Sequence, residues 1–111
     1  MSVTLTREGS VTIVKPMGPI IVGELDELDG ELLELFNRWT KRIIMNMHEV
    51  AFVDSAGLEL LVHHQREFDS HGLRLVFCHM NDTVQKVMDL TRLSLQFEIY
   101  PENVNAMRSF L

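Results

Sequence analysis

Alternating and continuous apolar stretches divide the chain into predicted β-strands. The pattern indicates strands at residues 3–6, 11–15, 20–22, 43–47, 73–78 and 95–99. The first two flank turn residues at 8–10, so we expect them to pair as a hairpin. The run 43–47 is mostly apolar, which is typical of a strand buried on both faces. Pro19 precedes 20–22 and predicts that this short run lies at a sheet edge or at the start of a strand.

Apolar residues that recur at three- and four-residue steps predict the helices. One stripe spans roughly 24–39 and consists of Leu25, Leu28, Leu32, Leu35, Phe36 and Trp39. Three further helices are predicted: one follows residues 54–57 and is closed by 70–72, one follows a cap at Asn81 or Asp82, and one is opened by Pro101–Glu102. Strands that alternate with helices indicate an α/β fold. We expect a mixed sheet of four to five strands with about four helices packed on it.

The length, the charge and the single cysteine narrow the class of protein. A chain of 111 residues is expected to form one domain over residues 1–111. Its formal net charge of −6 disfavours binding to nucleic-acid phosphates and to anionic lipid. Residues 1–10 lack the apolar stretch of a signal peptide, and no apolar run approaches the ~18 residues of a membrane span. Because one cysteine, Cys78, also fits a reducing compartment, we expect a cytoplasmic protein.

Side chains that bind metals or react with substrates are sparse. His63, His64, Glu67 and His71 do not supply the three or four ligands that zinc requires, so we interpret them as solvated helix residues. Cys78 lies in a predicted strand and is expected to be buried and unreactive. We therefore predict no catalytic residue, no metal and no cofactor.

The segment Asp54-Ser55-Ala56-Gly57 stands between a predicted strand and a predicted helix. In α/β sheets, partners and ligands meet the loops at such carboxyl ends of strands. Ser55 either caps the helix or carries a phosphate, which the positive end of the helix dipole would stabilise. Asp54 either orients the Ser55 hydroxyl or caps the helix itself, and Gly57 permits close approach of another backbone. A hydrolase nucleophile is disfavoured, because Val53 stands where the nucleophile elbow requires glycine.

The sequence around this segment resembles a known family. Phe52-Val53-Asp54-Ser55-Ala56-Gly57-Leu58 is similar to the signature of the STAS domain, specifically of the bacterial anti-sigma factor antagonists. Other similar stretches are the strand at 43–47, the next strand at 72–78, the helix and turn at 84–93, and 97–100 with the helix that follows. The resemblance covers roughly residues 10 to 110.

The resemblance implies a phosphorylation switch at Ser55. The kinase would be an anti-sigma factor with serine kinase activity and a histidine-kinase-like ATPase fold, and a metal-dependent Ser/Thr phosphatase would reverse the reaction. The unphosphorylated chain would bind the anti-sigma factor, so it would be a kinase substrate and not an enzyme. The residues expected to contact the partner are Asp54, Ser55, Ala56, Gly57, Leu58, Glu59, Gly18 and Ile20.

Three departures from the family pattern bear on this expectation. Ala56 replaces a frequent second hydroxyl residue, which leaves Ser55 as the local phosphate acceptor. Residues 23–26 match an early Gly-Glu-Leu-Asp loop of the family literally, whereas 18–21 lies nearer the expected spacing. Arg92 stands where many members have glycine, and the sequence offers no functional account of this change.

Two other functions remain open at this level. A constitutive STAS subunit, for example of a lipid-transporting ABC complex, would dock on an ATPase without a phosphorylation cycle. A small-molecule or nucleotide sensor ranks third, because no glycine-rich loop that cradles phosphate is present. Fold resemblance alone does not decide among these functions.

Overall fold

The computed structural model describes all 111 residues and contains one five-stranded sheet. Its strands are β1 (Ser2–Glu8), β2 (Val11–Met17), β3 (Arg42–Asn46), β4 (Arg74–Cys78) and β5 (Ile99–Tyr100), in the spatial order β1-β2-β3-β4-β5. The hairpin of β1 and β2 is antiparallel, and the other neighbours run parallel. The helices are α1 (Asp26–Asn37), α2 (Ser55–Ser70), α3 (Asp82–Leu90) and α4 (Asn103–Arg108). This mixed sheet with four helices confirms the predicted α/β class.

The helices cover the two faces of the sheet unequally, because side chains alternate along each strand. On one face, Ile43 and Met45 of β3 pack in the main core with the buried residues of α1, α2 and α3. On the other face, Ile44 packs in a smaller cluster with Ala106 of α4. All three β3 residues are fully buried, which confirms the prediction of a strand covered on both faces. No helix combines the length and apolar content that a membrane crossing requires.

Two predicted strands are largely replaced by other structure. Residues 20–22 do not form a strand, since only Ile20 pairs, in an isolated parallel bridge with Val53. The predicted strand at 95–99 was also wrong in its bounds. A 3₁₀ turn occupies Leu93–Leu95, and only β5 pairs with the end of β4. Phe97 is buried and its ring stacks on Phe77, so a packing contact takes the place of strand pairing.

Two helix ends also differ from the prediction. Trp39 lies outside α1, in the left-handed backbone conformation with φ 57°, and its side chain is 61% exposed. The chain turns there toward β3, so Trp39 does not extend the buried stripe. Pro101 is not the first helical residue, since α4 begins at Asn103 after the N-cap Glu102. Arg92 likewise has a left-handed backbone with φ 63°, a conformation that glycine adopts without strain.

Candidate functional site

The turn before α2 is joined to the segment that follows β2. The Ile20 N–H donates to the Phe52 carbonyl over 3.0 Å, and the Asp54 N–H donates to the Ile20 carbonyl over 3.2 Å. Val53 and Ile20 are both buried at this bridge. Two segments distant in sequence therefore form one rigid support directly before Ser55.

Asp54 binds both parts of this support through its carboxylate. Its Oδ1 accepts from the Gly57 N–H at 2.8 Å and caps α2, while its Oδ2 accepts from the Val22 N–H at 2.9 Å. The Val22 and Gly57 N–H groups hold the pKa of Asp54 below its ordinary value, so the side chain is a carboxylate at neutral pH. Of the two roles open for Asp54 from the sequence, the structure shows helix capping.

Ser55 is the first residue of α2 and is exposed. The cap is supplied by Asp54, and the side-chain hydrogen bonds of this turn do not use the Ser55 hydroxyl. The hydroxyl therefore points to no internal partner and is open to reaction from outside. The alternative that Ser55 itself caps α2 is wrong, because the preceding residue occupies that position.

Gly57 lies where α2 and the main chain of Ile20 approach each other most closely. A Cβ atom placed there would lie 2.1 Å from the Ile20 carbonyl oxygen and 2.9 Å from Cγ1 of Val53. Both distances are far below van der Waals contact, and one of the groups is main chain. The expectation that Gly57 permits close approach of another backbone is confirmed, and the approaching backbone is that of Ile20.

Apolar residues of the segments that form the Ser55 turn are accessible at the surface. Val22 is 70% exposed and Phe52 is 48% exposed, and Leu58 is half-buried one turn into α2. The sequence did not indicate that Val22 and Phe52 are exposed here, because an apolar residue beside buried ones carries no sign of its own exposure. We call Val22, Phe52, Ser55 and Leu58 the Ser55 surface.

The other residues expected at a partner interface divide into accessible and buried ones. Glu59 is exposed and Ala56 is half-buried on the first turns of α2. Ile20 and Gly57 are buried, so they position the turn and do not present side chains to a partner. Gly18 lies two residues before the Ile20 bridge, and a Cβ atom placed on it would lie 3.8 Å from Cγ of Met1, at ordinary van der Waals distance.

The literal Gly-Glu-Leu-Asp match at 23–26 leads into the start of α1, whereas Ile20 of the segment 18–21 contacts the Ser55 turn. The segment nearer the expected spacing is therefore the one that supports Ser55.

One histidine was interpreted wrongly as solvated. His64 is buried, with 3% of its surface exposed, and its Nε2 lies 2.7 Å from Oδ1 of Asp29 on α1. Burial lowers the pKa of His64 although Asp29 acts in the opposite direction, so the contact at neutral pH is a hydrogen bond from a neutral imidazole. Cys78 is buried and its pKa is raised to about 11, as its predicted strand position implied.

The fold and the turn together define a class of protein: an α/β domain that presents a free hydroxyl at a helix start, framed by exposed apolar side chains. A family model described as the STAS domain matches residues 2–106. The chain therefore belongs to the STAS domain family.

Individual relatives are similar over most of their length. The anti-sigma F factor antagonist of Paenibacillus polymyxa is 24% identical over 91 residues, which are 77% of this chain and 78% of that protein. A crystal structure of a candidate anti-sigma factor antagonist from Thermotoga maritima has a TM-score of 0.91 and 20% identity, over 96% of this chain and 92% of that one. The phosphorylated form of the Bacillus cell fate determinant SpoIIAA has a TM-score of 0.74 and 17% identity, over 97% and 99% of the two chains.

Proposed function

We propose that this chain is an anti-sigma factor antagonist whose binding to its partner is switched by phosphorylation of Ser55. The observation that carries the proposal is the exposed Ser55 hydroxyl, which has no internal partner and stands on a turn fastened by Asp54 and Ile20. The similarity to an anti-sigma F factor antagonist over most of both chains supports the same function.

The local electrostatics explain how a phosphate would act. Phosphorylation adds about −1.5 to −2 charges at the start of α2, where the helix dipole favours negative charge. Asp54 is adjacent, and Glu59 lies four residues on, on the same side of the helix; both repel the phosphate. In the free chain the phosphate would stay hydrated, but an interface formed on the Ser55 surface would have to remove its water. Binding is therefore lost while the fold persists.

The resemblance to the anti-sigma factor antagonists suggests the partners. The anti-sigma factor would itself be the serine kinase, with a histidine-kinase-like ATPase fold, and a metal-dependent Ser/Thr phosphatase would restore the unphosphorylated state. The chain is a substrate of both and acts in the cytoplasm without catalysing a reaction. Its contact surface is the Ser55 surface together with Asp54, Ala56 and Glu59, and Ile20, Gly18 and Gly57 shape the turn.

The first experiment is an intact mass and a peptide map of the protein isolated from its own cells under several growth conditions. We expect a single phosphate on Ser55 in some of them. Candidate kinases of the histidine-kinase-like ATPase class from the same cells are then purified and incubated with the chain and ATP.

Binding to the kinase that modifies Ser55 is compared among three variants. Ser55→Asp is expected to bind at least about 30-fold more weakly than wild type, since an unpaired charge in an interface costs about 2–5 kcal/mol. Ser55→Ala is expected to bind like wild type. Ser70→Asp is the matched control, because it adds the same charge at the other end of α2, about 22 Å away at ~1.5 Å per residue.

Equal binding of wild type and Ser55→Asp would overturn the switch. An unmodified Ser55 in every condition, together with a co-purifying ABC ATPase, would instead establish the constitutive STAS subunit.

A further inference from the structure

The first strand leaves one edge of the sheet without a neighbour. β1 is an outer strand of seven residues, and it pairs with β2 alone. Its register with β2 runs from Ser2 to Glu8 without a bulge, and the strand contains no proline. The other outer strand, β5, has only two residues. An edge as long and regular as that of β1 presents main-chain groups with which a further strand can pair.

The pairing with β2 determines which main-chain groups of β1 point outward. Val3 lies opposite Pro16, which has no N–H, and the Val3 N–H donates instead to Oε2 of Glu27 at 2.5 Å. In an antiparallel pair, successive residues direct their N–H and C=O groups alternately toward the partner strand and away from it. Leu5 and Arg7 therefore share the outward orientation of Val3. Their main-chain groups form no hydrogen bond with any other segment of the chain.

The side chains of these three residues lie on one face of the sheet, because alternate residues of a strand share a face. Val3 packs against the main core on this face, and Leu5 is 41% exposed. Arg7 forms no ion pair, and the exposed Glu27 of α1 contacts the main chain of Val3. The edge therefore carries a free cation near one end, a carboxylate near the other, and an exposed leucine midway between them.

We propose that β1 pairs edge to edge with β1 of a second copy of this chain, in an antiparallel dimer whose two-fold axis passes through Leu5. In this register Leu5 lies opposite Leu5 of the second copy, and Val3 lies opposite Arg7. All of these residues point their main-chain groups outward, so each pair exchanges two hydrogen bonds. A two-fold axis at Arg7 would place like charges opposite each other, and an axis at Val3 would leave Arg7 beyond the paired strands.

The same register brings opposite charges together. Arg7 of the second copy would lie directly across from Val3, about 5.5 Å away between Cα atoms, and so beside the Glu27 carboxylate. Glu27 would then accept from this guanidinium and release the Val3 N–H, which pairs with the new strand. The two-fold axis repeats the ion pair at the other end. An unrelated peptide could use the main-chain groups but would lack this match, so the geometry favours a second copy as the occupant of the edge.

The self-association of the full chain is measured by sedimentation equilibrium. An interface made by one strand from each copy is small and weak, so we expect mainly monomers at about 10 µM and mainly dimers at about 1 mM. Over the same range, amide hydrogen exchange of Leu5 and Arg7 should slow as the concentration rises. The amides of Thr4 and Thr6 point toward β2 and should not change, which makes them an internal control.

Charge reversal tests the register. At low ionic strength, Arg7→Glu and Glu27→Arg should each dimerise at least about tenfold more weakly, because each variant places like charges at both ion pairs. An equimolar mixture of the two variants should dimerise like wild type, since opposite charges then meet at both pairs. Lys86→Glu reverses an exposed charge on α3 and is the matched control. It should dimerise like wild type, and so should Ser55→Ala, which separates this interface from the proposed switch.

Three results would overturn the proposal. The first is a chain that remains monomeric at the highest concentration. The second is a dimer whose strength is unchanged in both charge-reversal variants or not restored in their mixture, which would contradict the register. The third is concentration-dependent protection of amides in other elements with none at Leu5 and Arg7, which would place the interface elsewhere.

Discussion

The Ser55 turn lies at one end of β3, and a cationic groove between the β1–β2 hairpin and the α1–β3 connection lies at the other end. The two regions use their polar groups differently. At the turn, both carboxylate oxygens of Asp54 accept main-chain N–H groups, and the Ile20 bridge fastens two segments. In the groove, Arg7 and Lys41 form no ion pair. The turn is thus organised by hydrogen bonds within the chain, whereas two cations of the groove have no charged partner within the chain.

Gly57→Ala should produce the largest loss of stability, because it disrupts the packing that supports the Ser55 turn. The added methyl would meet the Ile20 carbonyl oxygen at 2.1 Å, and main chain cannot yield as a flexible side chain does. We expect the free energy of unfolding to fall by about 3 kcal/mol or more, as in severe overpacking. Denaturant titration with two-state analysis measures this change.

Gly30→Ala is the matched control for that substitution. Gly30 lies inside α1, and a Cβ atom there would have no heavy atom within 4 Å. The same change should therefore stabilise the chain, by about 0.5–1 kcal/mol. A loss of stability in Gly30→Ala comparable to that in Gly57→Ala would contradict the packing argument.

Acidification should destabilise the fold at the contact between α1 and α2 that His64 forms with Asp29. Burial holds the pKa of His64 below the ordinary 6.5, so the unfolded chain takes up this proton first as the pH falls. As the pH drops below about 6.5, the free energy of unfolding should decrease. The slope due to this residue should be at most ~1.4 kcal/mol per pH unit. His64→Gln should remove this component, and the exposed neighbour His63→Gln should not.

Arg92 and Trp39 both have a left-handed backbone conformation, but their replacement by glycine should change the stability in opposite directions. Arg92 is exposed, so Arg92→Gly relieves backbone strain and should raise stability by about 1 kcal/mol. Trp39→Gly relieves the same strain but loses the stacking on Phe36, and should lower stability. Thermal unfolding of both variants tests this; Arg92→Ala, which keeps the strain, should show no gain.

The double variant Arg7→Gln, Lys41→Gln should have the smallest effect on stability. Neither cation forms an ion pair, so the free energy of unfolding should change by less than about 0.5 kcal/mol. A marked loss of stability would mean that they serve the fold.

Sequence patterns predicted the parts of the fold that depend on neighbours along the chain. The apolar run of β3 and the cap of α2 were both visible in the sequence, because strand periodicity and helix capping are local effects. The run at 20–22 looked like a strand for the same reason, but its role is a single bridge to Val53. His64 looked solvated because its partner, Asp29, is 35 residues away in the chain.

The sequence by itself determined the order of the helices and of the main strands, and the position of Ser55 at the start of a helix. These features follow from periodicity and capping within a few residues. Only the tertiary structure decided which backbone approaches Gly57, that Val22 and Phe52 are exposed beside Ser55, and that residues 5–12 and 35–42 form one cationic groove. The reason is physical: exposure and convergence depend on contacts between segments far apart in the chain, and no local pattern encodes them.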